Sequence, residues 1–254
     1  MASARGAGEP AWWDVRRTEG KRVMVTGGTT GIGLAIARLL ASRGARVFVL
    51  GRNAGDLNKA MEAIRGEDGE AHGTTADLSD AAEVRRAFDE ADLALGGVDV
   101  LVNNAAIPGD ELEELEDIDH AVRTSVFGYI ACAREAVERM RGHGGHIVNV
   151  GSMSADPREP DGATCVATRA AIRGFSESLR EAVAREGIRV TLVEPGKVDA
   201  ELVSELGEEE KRERIERMET HWPEDVAVCV CFALTQPHRC DVVRIEVRPH
   251  PQVI

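Results

Sequence analysis

A glycine-rich run near the start of the chain has the residue types and spacing that bind a diphosphate. The run reads Thr26-Gly27-Gly28-Thr29-Thr30-Gly31-Ile32-Gly33. It lies between an apolar segment, 22–25, and a helical pattern over 34–40. Gly27 can adopt backbone angles closed to other residues, so the chain can turn tightly, while Gly31 and Gly33 let a helix N-terminus approach phosphates. The run predicts a dinucleotide site; the alternative is a strand-to-helix turn that binds nothing.

A second candidate for chemistry is the pair Cys165 and Arg169, four residues apart in a segment with a helical pattern. That spacing places the two side chains on one face of a helix. A guanidinium beside a thiol favours the thiolate, which makes Cys165 a candidate nucleophile or base. Free cysteines are more often packing residues, so the alternative is a small buried filler.

Strand and helix patterns alternate along the whole chain and must position these residues. Strands are predicted at 22–25, 46–50, just before 77, 98–102, 145–150, 189–193 and 242–247. Helices are predicted at 34–40, 56–64, 81–95, 118–140, 163–185 and from 223 onward. Repeated βα units predict an α/β fold: a single Rossmann-like, doubly wound parallel sheet of about seven strands with helices on both faces. Ligands bind such a sheet at the carboxyl ends of its strands.

The amino-acid composition limits the classes of function that the chain can have. The net charge of −13 argues against nucleic acid and anionic membranes as partners. The five cysteines show no metal-like spacing, so we expect no metal site and a reducing, cytoplasmic location. Residues 1–20 lack the apolar segment of a signal peptide and predict a flexible arm before one domain over 21–254.

Four ordered motifs together resemble the short-chain dehydrogenase/reductase family. They are Thr26 to Gly33, Asp77-Leu78, Asn103-Asn104-Ala105-Ala106 and Pro195-Gly196-Lys197-Val198. The match covers roughly residues 20–250, because the closing stretch 223–249 is also similar to family members. The resemblance implies a nicotinamide-dependent oxidoreductase acting on a small-molecule carbonyl or alcohol. It also implies a short lid near 200–220 and a homodimer or homotetramer formed through the two long helices.

In this family the residue ending the second strand contacts the adenosine ribose, and a carboxylate there selects NAD(H). Here the strand ends Gly51-Arg52-Asn53, with no acid. The guanidinium of Arg52 could clamp a 2′-phosphate through paired, charge-assisted hydrogen bonds. We therefore predict NADP(H) over NAD(H); the alternative is an arginine that caps a solvated loop.

The resemblance assigns further residues to the cofactor. Threonines line the phosphate turn, the pair after the third strand flanks the adenine, and the fourth strand end supports the ribose. These and the remaining cofactor residues are Thr29, Thr30, Ile32, Asp77, Leu78, Asn103, Ala105, Arg169, Pro195, Gly196 and Val198.

The family pattern breaks at the catalytic residues. Hydride transfer in the family uses a tyrosine acid, a lysine four residues later, an upstream serine and an asparagine on the preceding long helix. Aligned by residue, Ser152 keeps the serine position, whereas Cys165 and Arg169 stand at the tyrosine and lysine positions. Ser125 stands at the asparagine position, and Ala200 replaces a threonine that seats the nicotinamide. A cysteine ends a whole ring short of a tyrosine hydroxyl, leaving room for a water or a larger substrate.

The chain contains other residue types that can act as an acid. Tyr129, the only tyrosine, is expected to pack against another helix or a partner subunit. His221 lies beside the lid and could donate a proton near neutral pH, although a lone lid histidine is usually a surface residue. His143 and His146 are expected before the fifth strand, at the end of the sheet away from the cofactor.

Three functions follow from these observations. The first is an NADP(H)-dependent reductase or dehydrogenase whose proton comes from Ser152, from a water beside Cys165, or from His221. The second is a non-redox cyclase, dehydratase or isomerase in which Ser152, Cys165 and Arg169 stabilise an oxyanion. The third is a catalytically inactive partner subunit, because fold alone never fixes function.

Overall fold

A seven-stranded parallel sheet forms the centre of the computed structural model, which describes residues 18–67, 69–107, 115–156, 162–198 and 208–251. Its strands are β1 (Arg22–Thr26), β2 (Arg46–Gly51), β3 (Glu70–Thr75), β4 (Val100–Asn103), β5 (Gly145–Val150), β6 (Ile188–Pro195) and β7 (Arg244–Val247). Their order is β3-β2-β1-β4-β5-β6-β7, and every pairing is parallel. The predicted fold class is confirmed.

Eight α-helices connect the strands within the described residues. They are α1 (Gly31–Ser42), α2 (Ala54–Arg65), α3 (Ala81–Leu95), α4 (Leu115–Val122), α5 (Gly128–Met140), α6 (Ala163–Val183), α7 (Glu208–Glu216) and α8 (Pro223–Thr235). Short 3₁₀ turns follow β5 at Met153–Ala155 and α6 at Ala184–Glu186.

The core lies on both faces of the sheet, as the strand pattern requires. On β1, Val23 and Val25 pack into the layer formed with α1, α2 and α8, whereas Met24 points into the layer formed with α3 and α5. All three side chains are fully buried. Burial on both faces of the sheet therefore explains why the strands consist of apolar, largely β-branched residues.

The chain reverses its direction across the sheet between β1 and β4. From β1 it proceeds outward to β3, then returns to place β4 on the other side of β1. The helices that follow β1 and β4 therefore lie on opposite faces of the sheet, and a crevice forms at the carboxyl ends of these strands. The glycine-rich run follows β1 at this crevice.

One predicted element differs from the structure. The long helix expected over 118–140 is divided by a π turn, Arg123–Phe127, into α4 and α5. His146 lies within β5, which has the predicted bounds 145–150, and is buried with Nε2 2.8 Å from the Thr191 hydroxyl. Its position at the amino end of the sheet, away from the crevice, agrees with the prediction.

Several predicted features fall outside the described residues. These are most of the arm at 1–20, Ala200 and the first part of the lid at 200–207. The second part of the lid contains α7, whose sequence is mostly charged. No helix among the described ranges is long and apolar enough to span a membrane.

Candidate functional site

The glycine-rich run wraps tightly around the carboxyl end of β1. Gly27 has φ +59°, and a Cβ there would lie 2.8 Å from the Cα of Ala105, after β4. A Cβ on Gly33 would overlap the carbonyl oxygen of Gly27 and the side-chain amide of Asn104. The absence of side chains at these two positions therefore lets the turn, the helix and the β4 loop meet.

Asn104 ties the β4 loop to the glycine turn. Its Nδ2 donates to the carbonyl oxygens of Thr26 at 3.2 Å and Gly27 at 3.1 Å, and its backbone N–H donates to the Thr26 hydroxyl at 2.9 Å. Sequence reasoning assigned a role to Asn103 and missed Asn104. The signal available was the repeated asparagine directly after an apolar strand.

The N-terminus of α1 faces the crevice with unpaired N–H groups. Thr30 is its N-cap, in extended conformation, and its side chain makes no capping hydrogen bond. The preceding Thr29 packs against Gly51 at the end of β2, where a Cβ would overlap the threonine side chain. Free N–H groups and the helix dipole make this an anion-binding position.

The loops after β2 and β3 bring charged side chains to the same edge. Arg52 Nη1 lies 2.8 Å from Nε2 of His120 on α4. Asp77 accepts a hydrogen bond from the Ser79 backbone N–H at 2.9 Å. Burial acts to raise the pKa of Asp77, but the hydrogen bonds from Ser79 and the nearby basic side chains of the β2 and α4 region, Arg52 among them, lower it below its usual value. Leu78, by contrast, is buried in the core.

Asn103 lies below the crevice rather than on its surface. It is fully buried, and its Nδ2 donates to the backbone carbonyl of Tyr129 at 3.2 Å and to Asn149 Oδ1 at 3.0 Å. Asn149 in turn donates to the Ser176 hydroxyl at 2.9 Å. These contacts link β4, β5 and α6 beneath the site.

Ser152 and Ser125 belong to the turns beside the crevice. The Ser152 hydroxyl is half-buried and accepts a hydrogen bond from the Ser154 N–H at 3.1 Å. Ser125 lies in the π turn, is buried, and accepts a weak hydrogen bond from the Ile107 N–H at 3.4 Å. A π turn inside an α-helix frequently marks a functional site.

Cys165 and Arg169 lie one helical turn apart on α6, and both are half-buried. The Arg169 guanidinium lies near the hydroxyl of Tyr129 and opposes the rise in its pKa. Both residues lie on one helix, as predicted. The Arg169 side chain is directed toward Tyr129, the only tyrosine of the chain.

A buried carboxylate connects the Ser152 loop to the end of β6, which sequence reasoning missed. Glu194 Oε1 lies 2.9 Å from Arg173 Nε, and Arg173 Nη1 lies 2.6 Å from Asp156. Arg244 Nε approaches the other Glu194 oxygen at 2.6 Å. Burial raises the pKa of Glu194 despite these arginines. The network fixes the loop after Ser152 against the strand that leads to Pro195 and Gly196.

The chain after β6 meets the segment before α8. Val198 pairs in a β-bridge with His221, whose backbone N–H donates to the Lys197 carbonyl at 2.9 Å. His221 Nδ1 lies 3.4 Å from the Asp225 carboxylate. Its Nε2 is buried and has no hydrogen-bond partner among the described residues. A carboxylate on one ring nitrogen leaves the other available to a ligand.

The described ranges contain no group of three or more histidine, cysteine or acidic side chains arranged to hold a metal ion. The groups that the structure does bring to the crevice include an anion-binding turn, the side chains of Arg52 and His120, the Ser152 hydroxyl and a thiol one helical turn from a guanidinium.

Comparison with known proteins places this geometry in context. A family model described as short chain dehydrogenase matches residues 21–211. A curated relative, carbonyl reductase family member 4 from Danio rerio, is 34% identical over 219 residues, which cover 85% of this chain and 91% of the relative.

Solved structures agree with the sequence match. A short chain dehydrogenase from Burkholderia cenocepacia in complex with NADP superposes with a TM-score of 0.80 at 31% identity, covering 92% of this chain and 98% of that one. A metagenomic short-chain oxidoreductase in complex with NADP gives a TM-score of 0.76 at 27% identity, covering 93% and 100%. Both comparisons extend over nearly the whole sheet and its helices.

Proposed function

The chain belongs to the short chain dehydrogenase family, and on that premise we propose that it is an NADP(H)-dependent oxidoreductase for a small-molecule carbonyl or alcohol. The observation that carries the cofactor choice is the end of β2. Arg52 lies there with a donor-rich guanidinium, and the adjacent residues Gly51 and Asn53 provide no carboxylate. Two solved relatives hold NADP, which supports this choice.

The residues at the crevice fit such a cofactor. The cradle at Gly27 and Gly33 has no room for side chains, and the open N-terminus of α1 suits a diphosphate. Arg52 would hold the 2′-phosphate, and Arg169 the nicotinamide ribose. When bound, the nicotinamide supplies or accepts the hydride. We assign the adenine to the sheet edge beside Asp77.

We propose that the proton is handled in an unusual way, because Cys165 and Arg169 stand where the family has tyrosine and lysine. The Ser152 hydroxyl would hydrogen-bond the substrate oxygen. Arg169 cannot give up its proton, so it can orient but not relay. The proton would come from Ser152, from a water beside Cys165, or from His221. The Asp225 carboxylate beside His221 supports the last of these sources.

Titration with NADPH and with NADH tests the cofactor, using tryptophan quenching and nicotinamide fluorescence as readouts. We expect NADPH to bind more tightly than NADH, and Arg52→Ala to reduce that preference. The matched control is Lys59→Ala, which removes an exposed positive charge from α2. Failure of both nucleotides to bind would overturn the oxidoreductase function.

A second function is favoured by one observation: the only tyrosine of the chain is buried. A non-redox enzyme on this scaffold, or an inactive partner subunit, needs no phenol acid. Substrate screening with bound NADPH separates the two functions. Nicotinamide oxidation with any carbonyl supports the oxidoreductase, whereas substrate turnover without nicotinamide oxidation supports the non-redox enzyme.

We also propose self-association through α5 and α6. Ile130 on α5 is 43% exposed and lies on the helix face that also carries the exposed Arg134 and Glu138. Light scattering of the purified protein would measure the mass, and Ile130→Glu is expected to reduce it. A monomer in both cases would contradict the assembly.

A further inference from the structure

The side chains of Arg52 and His120 meet across the carboxyl edge of the sheet although 68 positions separate them in the chain. Arg52 directly follows β2, whereas His120 lies near the end of α4. Their nitrogens are 2.8 Å apart, which is hydrogen-bond distance. The contact joins a strand end to a helix from a different part of the fold.

The chemistry of this contact fixes the role of each partner. A guanidinium has only donors, so Nη1 of Arg52 must donate and Nε2 of His120 must accept. An imidazole that accepts through Nε2 is neutral and carries its proton on Nδ1. His120 therefore serves Arg52 as a neutral acceptor that restricts where the guanidinium points.

Contacts around α4 hold His120 in place. Arg123, at the start of the π turn, donates through Nη2 to the Ser79 carbonyl at 2.7 Å. The backbone N–H of Ser79 also donates a hydrogen bond to the Asp77 carboxylate. The loop after β3 thus connects α4 to the same edge as Arg52. Asp77 lies in the same loop, and the charge of Arg52 is one of the causes that lower its pKa.

The guanidinium keeps donor capacity for a ligand. Within the described part of the chain, the Arg52 side chain makes its one hydrogen bond to His120 and no ion pair with a carboxylate. By contrast, two arginines at the amino ends of strands are paired with acids, Arg46 with Glu70 and Arg22 with Asp99. The hydrogen bond to His120 therefore fixes the orientation of the Arg52 guanidinium, and its remaining N–H groups can donate to an anion.

We infer that His120 is a specificity-determining positioning residue, which holds the Arg52 guanidinium to receive a phosphate monoester at the adenosine 2′ position. The inference rests on the proposed function, because it names the residue that makes Arg52 effective. A side chain fixed before binding loses less conformational entropy when the ligand arrives. The benefit applies only to ligands that carry the 2′-phosphate.

The test compares binding of NADPH and NADH to the whole chain and to two variants of His120. His120→Leu removes the acceptor, and we expect it to weaken NADPH binding about tenfold, the effect of losing roughly one hydrogen bond to a charged group. NADH binding should change little. His120→Gln restores an acceptor oxygen and should bring NADPH affinity back to within about threefold of the original.

The double variant Arg52→Ala with His120→Leu tests whether His120 acts through Arg52. If it does, the double variant loses no more NADPH affinity than Arg52→Ala alone. His72→Leu is the matched control, because it removes an imidazole bonded to Glu70 at the sheet edge on β3. Adenosine 2′,5′-bisphosphate and adenosine 5′-monophosphate repeat the comparison without the nicotinamide.

These measurements distinguish the role of His120 from the binding of NADP(H) itself. An unchanged ratio of NADPH to NADH affinity in His120→Leu, or an equal loss for both nucleotides, would overturn the role of His120. If Arg52→Ala still lowers the ratio, the NADP(H) proposal stands. A wild-type chain that binds neither nucleotide would overturn both.

Discussion

The hydroxyl of Tyr129 donates a hydrogen bond to the backbone carbonyl of Val150 at 2.9 Å, between α5 and the last residue of β5. The tyrosine is fully buried and packs with Ile172 and Leu192. Burial raises its pKa to about 12, although the charge of Arg169 opposes the rise. The only phenol of the chain therefore belongs to the core and is protonated throughout the physiological range.

Removing this phenol should affect stability in a pH-dependent way. Tyr129→Phe leaves the Val150 carbonyl without its partner, and we expect a loss of about 1 kcal/mol in unfolding free energy at pH 7. The folded pKa is raised, so the phenol's contribution is complete below pH 10 and is lost as the pH rises toward 12. The difference between the two proteins should accordingly shrink above pH 10, as measured by urea unfolding.

Ultraviolet absorbance of the phenolate checks the same point directly, because the chain has a single tyrosine. The folded protein should show no phenolate signal at pH 10, where half of the tyrosine in a urea-unfolded sample is ionised. A midpoint near 10 in the folded protein would show that the hydroxyl is accessible, and Tyr129 would return as a candidate acid.

Gly33→Ala should abolish nucleotide binding and destabilise the fold. The new methyl would overlap the Gly27 carbonyl and the Asn104 amide, so the turn and the β4 loop must separate. Overpacking of this kind costs about 1–3 kcal/mol. Thermal unfolding and NADPH titration measure the two effects. Gly174→Ala on α6, where a Cβ meets nothing within 4 Å, is the matched control.

A Gly33→Ala protein that binds NADPH as tightly as the original would show that the glycine turn is not the diphosphate site. The stability measurement makes this result interpretable, because it reports whether the substitution has disturbed the turn.

Restoring the family residues tests the catalytic proposal. Cys165→Tyr together with Arg169→Lys should raise any carbonyl reductase rate, because a phenol then reaches the substrate oxygen and a lysine can lower its pKa. The increase is expected within the range of about 10²–10⁴-fold that general acid catalysis contributes. Steady-state NADPH oxidation gives the rate. Ser152→Ala in the same background should remove the gain.

A double variant that still binds NADPH but shows no increase would count against the redox mechanism. Cys165→Ala completes the series. If the thiolate takes part in a native reaction, that reaction is abolished, and an unchanged rate reduces Cys165 to a packing residue.

Asp99→Asn should destabilise the fold without changing NADPH affinity. The Asp99 carboxylate accepts from the backbone N–H, Nε and Nη2 of Arg22 at 2.9, 3.0 and 2.6 Å, at the amino ends of β1 and β4. Burial acts to raise its pKa, but Arg22 lowers it below the usual value. We expect a loss of about 2 kcal/mol at pH 7.

The sign of this pH dependence is opposite to that of Tyr129. Because the folded pKa of Asp99 is depressed, its stabilisation is present above about pH 4 and disappears as the pH falls further. Urea unfolding at pH 7, 5 and 3 follows the difference. A constant difference down to pH 3 would show that the ion pair is not its source.

The positions of the strands and the glycine turn could be predicted because each depends on local patterns. Apolar strands, amphipathic helices and glycine spacing are periodic signals read within a few residues of sequence. The π turn could not be predicted in this way. A helix that contains one extra residue in a turn has the same kind of amino-acid composition as a regular α-helix, so the sequence carries no local signal for it. The predicted helix over 118–140 was therefore continuous and wrong at its centre.

The contacts of the candidate site depend on separations that no local pattern encodes. Nothing near His120 indicates that it reaches Arg52, and nothing near Glu194 indicates that two arginines from other elements surround it. The direction of the Tyr129 side chain was also open between a helix and a partner subunit. The fold resolves it into the chain's own core, because β5 supplies the acceptor.

The π turn between α4 and α5 has a consequence for insertions and deletions. An α-helix advances about 100° per residue, so one extra residue in a turn rotates everything before it relative to everything after it. His120 precedes the turn and reaches Arg52 after β2, whereas Tyr129 follows it and faces the core. The turn thus sets the angular phase between two neighbouring surfaces. Deleting one residue from the π turn would rotate the surface that carries His120 by about 100° relative to the surface that carries Tyr129. Neither of these two residues would itself be changed.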